Sequence, residues 1–152
     1  MPLRTREATG EDVPSLEILR RQAIEAACSD VYERDRFADL VATPDEQLPT
    51  WVEEDSATVL VAETSITPVS YVVVADGEIL GLFTSPDYQR EGFARELLEA
   101  AERRAVERGW SRLSVVAPEV SAGFFEACGF TPHGSDDWHG LPGTVFRKAI
   151  EP

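Results

Sequence analysis

One stretch constrains this chain more than any other: Glu78-Ile-Leu-Gly-Leu-Phe-Thr-Ser-Pro-Asp-Tyr-Gln-Arg-Glu-Gly-Phe-Ala-Arg95. Ile79, Leu80, Leu82 and Phe83 form an apolar run of strand length, Pro86 and Asp87 end it, and an amphipathic helix opens around Gly92. The first N–H groups of a helix lack intrahelical partners and carry the positive end of its dipole, so such a junction favours an anion, above all a phosphate. Gly92 lets the backbone approach closely, and Ala94 is the next small residue. With Gln89 they give Gln-x-x-Gly-x-Ala.

The rest of the chain arranges itself around this junction. Leu3 to Ala8 reads as a short first strand, and Thr9, with Asp12 three residues on, caps a helix running to about Cys28. Ser29 to Val41 is ambiguous. Thr43-Pro44-Asp45-Glu46 signals another helix start, with Pro49 keeping that helix short and Trp51 on its apolar side. Thr58 to Glu63 and Val69 to Ala75 are strands joined by a turn from Thr64 to Pro68. Asp76-Gly77 is a hairpin signal that pairs Tyr71 to Val74 antiparallel with Ile79 to Phe83. From Phe93 to Arg108, Ala94, Leu97, Leu98, Ala101 and Ala105 form a buried stripe, and Gly109 stops the helix. Leu113 to Ala117 is then a parallel strand, since a helix joins it to the one before. Ser121 to Cys128 reads as a short helix closed by Gly129. Phe130 and Val145 to Ala149 make a last strand pair around a polar loop from His133 to Gly143.

Gln89-x-x-Gly92-x-Ala94 after a strand resembles the acetyl-coenzyme A loop of the GNAT superfamily of N-acetyltransferases. Its surroundings fall in family order: Leu82-Phe83-Thr84-Ser85-Pro86 before it, Leu97-Leu98-Glu99-Ala100-Ala101 after it, and Phe124-Phe125-Glu126-Ala127-Cys128-Gly129-Phe130 further on. The likeness runs from about Thr58 to Phe130 and is looser towards both ends. It implies one α/β domain over 1–152, with a mixed, mostly antiparallel sheet of six or seven strands and helices on both faces. Strands four and five would splay apart beyond Phe83 and Ala117. Acetyl-coenzyme A would fill the gap as acyl donor, its pantetheine arm against Leu82, Phe83 and Thr84. Its pyrophosphate would lie on the backbone of Arg90, Glu91, Gly92, Phe93, Ala94 and Arg95, next to Gln89, and Phe125 would pack on the arm.

The reaction so implied is acetyl transfer to a primary amine by direct attack in a ternary complex, because no Cys or Ser is placed as a covalent nucleophile. Glu78 stands where histone-acetylating members keep a base; otherwise it is a solvated residue completing the Asp76-Gly77 turn. Two positions depart from the family pattern. Phe125 replaces the usual Tyr and cannot donate a proton, which leaves water or Tyr32, Tyr71 or Tyr88 for the leaving thiolate. Pro118 stands where many members have Asn or Ser. A non-catalytic module that senses acyl-coenzyme A is the alternative reading.

Charge narrows the partners. With 28 acidic against 14 basic residues the net charge is -14, which argues against nucleic acid or an anionic membrane and suits a small-molecule or protein amine. Lys148 is the sole lysine, an imbalance that resembles proteins of salt-loving organisms and predicts salt-dependent stability. No apolar run nears 18 residues and no leader is visible, so the expected location is cytoplasmic. Cys28 and Cys128 read as buried thiols with no metal-ligand spacing to His133 or His139, so no metal is expected. Trp51 and Trp110 read as core. Trp138, among Asp136, Asp137 and His139, is a pocket wall or a dimer contact, and its loop with the last strand could support a homodimer. Asp136-Asp137 and Glu53-Glu54-Asp55 are either an attraction for a cationic amine or solvated acidic loops. His133 and His139 either reach the acceptor side or stay in a surface turn.

Overall fold

A computed structural model describes residues 4–28, 47–53, 57–64, 67–88, 92–138 and 140–151. Its organising feature is the pair of hairpins that deliver the chain to the helix at Gly92. Strands β2 (Thr58–Thr64), β3 (Thr67–Ala75) and β4 (Glu78–Thr84) run antiparallel in turn. The β3–β4 turn has Asp76 at φ 52° and Gly77 at φ 77°, the double left-handed turn whose twist suits a two-residue hairpin. β1 (Arg4–Glu7) pairs antiparallel with β2.

Helix α1 (Val13–Cys28) follows a 3-10 turn at Gly10–Asp12, where the Thr9 N–H donates to Asp12 Oδ2 at 2.7 Å, one half of the expected cap. The helix α2 (Leu48–Glu53) is short, as expected, and carries Pro49 in its first turn, where no N–H is needed. The proposed start at Thr43 to Glu46 lies outside the described residues, as do Ser29 to Val41. Helix α3 (Phe93–Glu107) buries Leu97, Leu98, Ala100, Ala101 and Ala105, and ends at Gly109 with φ 88°. Strand β5 (Arg112–Pro118), helix α4 (Ala122–Ala127), and strands β6 (Thr131–Trp138) and β7 (Leu141–Ala149) complete the chain.

The seven strands lie in the order β1-β2-β3-β4-β5-β7-β6, and only β4 and β5 run parallel. Two apolar clusters sit on opposite faces of this sheet. On one, α3 and α4 cover Leu60, Val72, Ile79, Leu113, Val115 and Phe146. On the other, α1 and α2 cover Val59, Val61, Tyr71 and Val73. No helix among the described residues is long and apolar enough to cross a membrane.

Several expectations need correction. The stretch from His133 to Gly143 is mostly strand: β6 pairs with β7 from Thr131↔Arg147 to Trp138↔Leu141, with a register shift between Pro132 and Ser135. β6 is an edge strand exposed along nearly its whole length, so no apolar alternation marks it, and an edge tolerates its Pro and Gly. The turn proposed from Thr64 to Pro68 is narrower, since Thr64 already pairs with Thr67. Trp110 is 38% exposed and Trp51 half-buried, so neither is a full core residue. Cys128 is half-buried, and desolvation pushes its thiol pKa up; the Cys28 side chain lies outside what is described.

Candidate active site

The strands β4 and β5 touch for only two residue pairs, Glu78↔Ser114 and Ile79↔Val115. The expectation placed their parting beyond Phe83 and Ala117; it starts just after Ile79. The cause is a bulge. Val73 pairs with Gly81 and Val74 with Ile79, which leaves Leu80 as an extra residue in β4 and turns the strand away from β5. The bulge also resets the alternation of the backbone. Gly77 O accepts from Ser114 N–H across the β4–β5 side, whereas beyond the bulge Ser85 N–H donates to Val69 O on the β3 side. Counting in twos from Ser85, Phe83 and Gly81 turn their backbone groups to β3, and those of Leu82 and Thr84 face the open edge. Ser70 Oγ donates to Phe83 O at 2.9 Å and lies 2.9 Å from Thr84 Oγ1, which holds this segment against β3.

Between the parted strands lies a cavity of about 380 Å³. Its walls come from both faces of the sheet. Ile79, Leu82, Ala94, Val115, Ala117, Phe124 and Phe125 belong to the α3 and α4 face, while Ala23, Ala26, Leu80 and Phe83 belong to the α1 face. Phe125 is 4% exposed, stacked on Phe146 at 5.8 Å and edge-on to Phe124 and Phe130. It is a rigid apolar wall with no proton to give. Pro118 also lines the cavity, and it brings no N–H.

Above the cavity α3 begins. Gly92 precedes it at φ 87°, ψ 2°, and a Cβ built there would meet no described residue within 4 Å beyond its chain neighbours. Backbone conformation therefore demands the glycine. The intrahelical ladder starts with Glu96 N–H to Gly92 O at 3.0 Å, so the N–H groups of Phe93, Ala94 and Arg95 precede it and are left for another acceptor. Phe93 lies edge-on to Tyr88 at 5.8 Å, which ties the helix start to the end of the strand-loop segment. Arg95 is exposed and 3.7 Å from Glu99. Gln89, Arg90 and Glu91 lie outside the described residues.

Glu78 is exposed and does not line the cavity. Its cross-strand neighbours settle which way it points: Ala75 packs on the α1 cluster, and Ser114 alternates with Leu113 and Val115 of the opposite one. Glu78 is thus on the α1 face, one strand step before Leu80. Tyr71 is buried on that face against the Phe83 ring at 5.5 Å and does not line the cavity, Tyr88 is half-buried beside Phe93, and Tyr32 is outside the described residues. His133 is exposed on β6, 3.1 Å from Thr131 Oγ1, and His139 is outside the described residues. Asp136 and Asp137 serve the β6–β7 turn: Asp137 Oδ2 accepts from Gly140 N–H at 2.9 Å and Asp136 Oδ1 from Asp137 N–H at 2.7 Å. Glu53 is exposed, while Glu54 and Asp55 are not described.

The sequence reading missed Ala23, Ala26 and the bulge at Leu80. Only the bulge left a trace, a single Gly81 inside an apolar run.

A model of the acetyltransferase (GNAT) domain matches residues 18–140. The chain belongs to the GNAT acetyltransferase family. It is accordingly an acyltransferase. A search of curated protein sequences finds no significant match. Solved structures share the fold over almost all of this GNAT chain. PaiA N-acetyltransferase from Thermoplasma acidophilum, in complex with coenzyme A, superimposes with a TM-score of 0.85 at 17% identity, covering 99% of this chain and 100% of its own. A GCN5-related N-acetyltransferase from Rhodopseudomonas palustris gives 0.87 at 22%, covering 99% and 97%. YncA from Salmonella typhimurium, with its cofactor acetyl-CoA, gives 0.75 at 16%, covering 100% and 96%.

Proposed function

We propose that this GNAT domain, over 1–152, transfers an acetyl group from acetyl-coenzyme A to a primary amine by direct attack in a ternary complex. The observation that carries the reading is the β4–β5 gap, lined from both faces of the sheet and reaching Ala94 in the first turn of α3. The pyrophosphate rests on Gly92 to Arg95, with Gln89, Arg90 and Glu91 completing the loop. The pantetheine arm pairs with the backbone edge of Leu82 and Thr84 as a missing strand would. Phe125 packs on the arm from the α4 side. Backbone N–H groups on that open edge polarise the thioester carbonyl, and the developing oxyanion is stabilised there.

The amine approaches from the α1 face, where Glu78 removes its proton through intervening water. The neutral nitrogen attacks the thioester carbon, the C–N bond forms and the C–S bond breaks; the nitrogen sheds its remaining extra proton to water, and the thiolate takes its proton from water, because Phe125 has none to offer.

Initial rates of thiol release, measured while both acetyl-coenzyme A and the amine are varied, test the order of events. Intersecting double-reciprocal lines are expected; parallel lines mean a covalent acyl-enzyme and contradict direct attack. Glu78→Gln should lower kcat about a hundredfold at neutral pH while coenzyme A affinity holds. Unchanged kcat removes Glu78 from the mechanism.

A further inference from the structure

We propose that the α1-face half of the cavity selects amines carrying an apolar, ring-sized body, and that Trp138, seated by Gly143, makes the selection. This deepens the acyl-transfer reading and rests on it.

Trp138 stands on β6, at the far edge of the sheet from β4, yet it lines the cavity. Gly143 explains how it reaches there. A Cβ at 143 would fall 2.9 Å from Trp138 Cβ and 3.1 Å from both Val116 Cγ1 and Asp136 O. Gly143 is not in the left-handed region, so close approach and not backbone conformation requires the glycine. Its bare Cα lets the indole lie across β7 towards β5. Val116 fixes the face: it alternates with Val115 and Ala117 of the α3 cluster, so Val116 and the indole beside it are on the α1 face with Leu80 and Phe83.

The described walls on that face include Ala23, Ala26, Leu80, Phe83 and Val116, and no carboxylate, amine or guanidinium lines the cavity among the described residues; the Arg20 guanidinium lies over the Phe83 ring, 5.8 Å from its centroid. Two alanines on α1 leave room where larger side chains would fill it. An indole adds flat contact area with little rotamer freedom to lose. Against these described walls a second ammonium loses its water with no carboxylate to replace it, which lowers affinity about tenfold or more. An aryl or alkyl body loses nothing of the kind.

The test compares phenethylamine with spermidine in thiol release at saturating acetyl-coenzyme A. The expected kcat/KM is at least tenfold higher for phenethylamine. Trp138→Ala should raise its KM about tenfold with kcat within about twofold, Trp138→Phe should restore most of the loss, and Gly143→Ala, which displaces the indole, should raise KM as Trp138→Ala does. Phenethylamine added to the coenzyme A complex should quench tryptophan fluorescence in the parent but not in Trp138→Phe, where Trp51 and Trp110 still report an intact fold. This readout decides the matter should Trp138→Ala fail to fold. Preference for spermidine, an unchanged KM in Trp138→Ala, or quenching that survives in Trp138→Phe overturns the selection and leaves acyl transfer standing. Absence of coenzyme A binding by the parent overturns the acyl-transfer reading, and this one with it.

Discussion

Helix α3 has a glycine at each end in nearly the same backbone state, and the pair separates a structural role from a binding one. Gly92 has φ 87° and Gly109 φ 88°, and a Cβ at either would meet no described residue within 4 Å beyond its chain neighbours. Among the described residues alanine at either site meets no clash, so it differs from glycine there through left-handed strain, about 1 to 2 kcal/mol. For a domain of this size that is a fall in Tm of about 3 to 6 °C for each variant. The consequences for coenzyme A should diverge. At Gly92 the new methyl enters the space beside the first N–H groups of α3, where a phosphate oxygen would lie. Losing one charge-assisted hydrogen bond there removes about 1.5 to 3 kcal/mol, so Kd should rise about 10- to 100-fold. At Gly109, the far end of the same helix, Kd should stay within about twofold. Thermal melts beside calorimetric titration of coenzyme A read both quantities. Equal weakening by both variants, or none at Gly92→Ala, refutes the phosphate site at this helix start.

Further outcomes follow from charge. Arg6 forks between Asp12, at 2.8 and 2.9 Å, and Glu63, at 3.0 Å to each oxygen. Its hydrogen bonds hold both carboxyls below their ordinary pKa of 3.8 and 4.5, and in turn raise that of Arg6. A depressed carboxyl pKa gives stability that is fully present above the unfolded value and is lost as pH falls through the folded one. Arg6→Met should thus destabilise by about 2 to 3 kcal/mol at pH 7, and by clearly less at pH 3, in urea melts; an equal loss at both pH values contradicts the ion cluster. The net charge of -14 predicts a Tm that rises between low and molar KCl, and a flat response means self-repulsion is of no consequence.

The fold was legible wherever local chemistry speaks for itself. Asp76-Gly77 announced the hairpin, because both residues must take positive φ, and the 3.6-residue stripe of Leu97, Ala101 and Ala105 announced α3. β6 was illegible for a physical reason: an exposed edge strand needs no apolar alternation, so its stretch from His133 to Trp138 reads as a loop. The parting of β4 and β5 was placed too late, since a bulge depends on the partner strand's register as well as on Gly81. In the site, Leu82, Phe83, Thr84, Ala94 and Phe125 line the cavity. The contributions of Ala23 and Ala26 could not be foreseen, because small residues on a helix face look the same whether they pack on a neighbour or leave a space. Trp138 presented two roles in the sequence, and in the structure it lines the cavity, its Cβ close beside Gly143.

The most direct test of the central claim is calorimetric titration of acetyl-coenzyme A into the protein in molar KCl, repeated with the Gly92→Ala variant. The account predicts one site per chain with micromolar Kd in the parent, weakened at least tenfold by the alanine. No heat of binding from a protein shown by circular dichroism to be folded would contradict it.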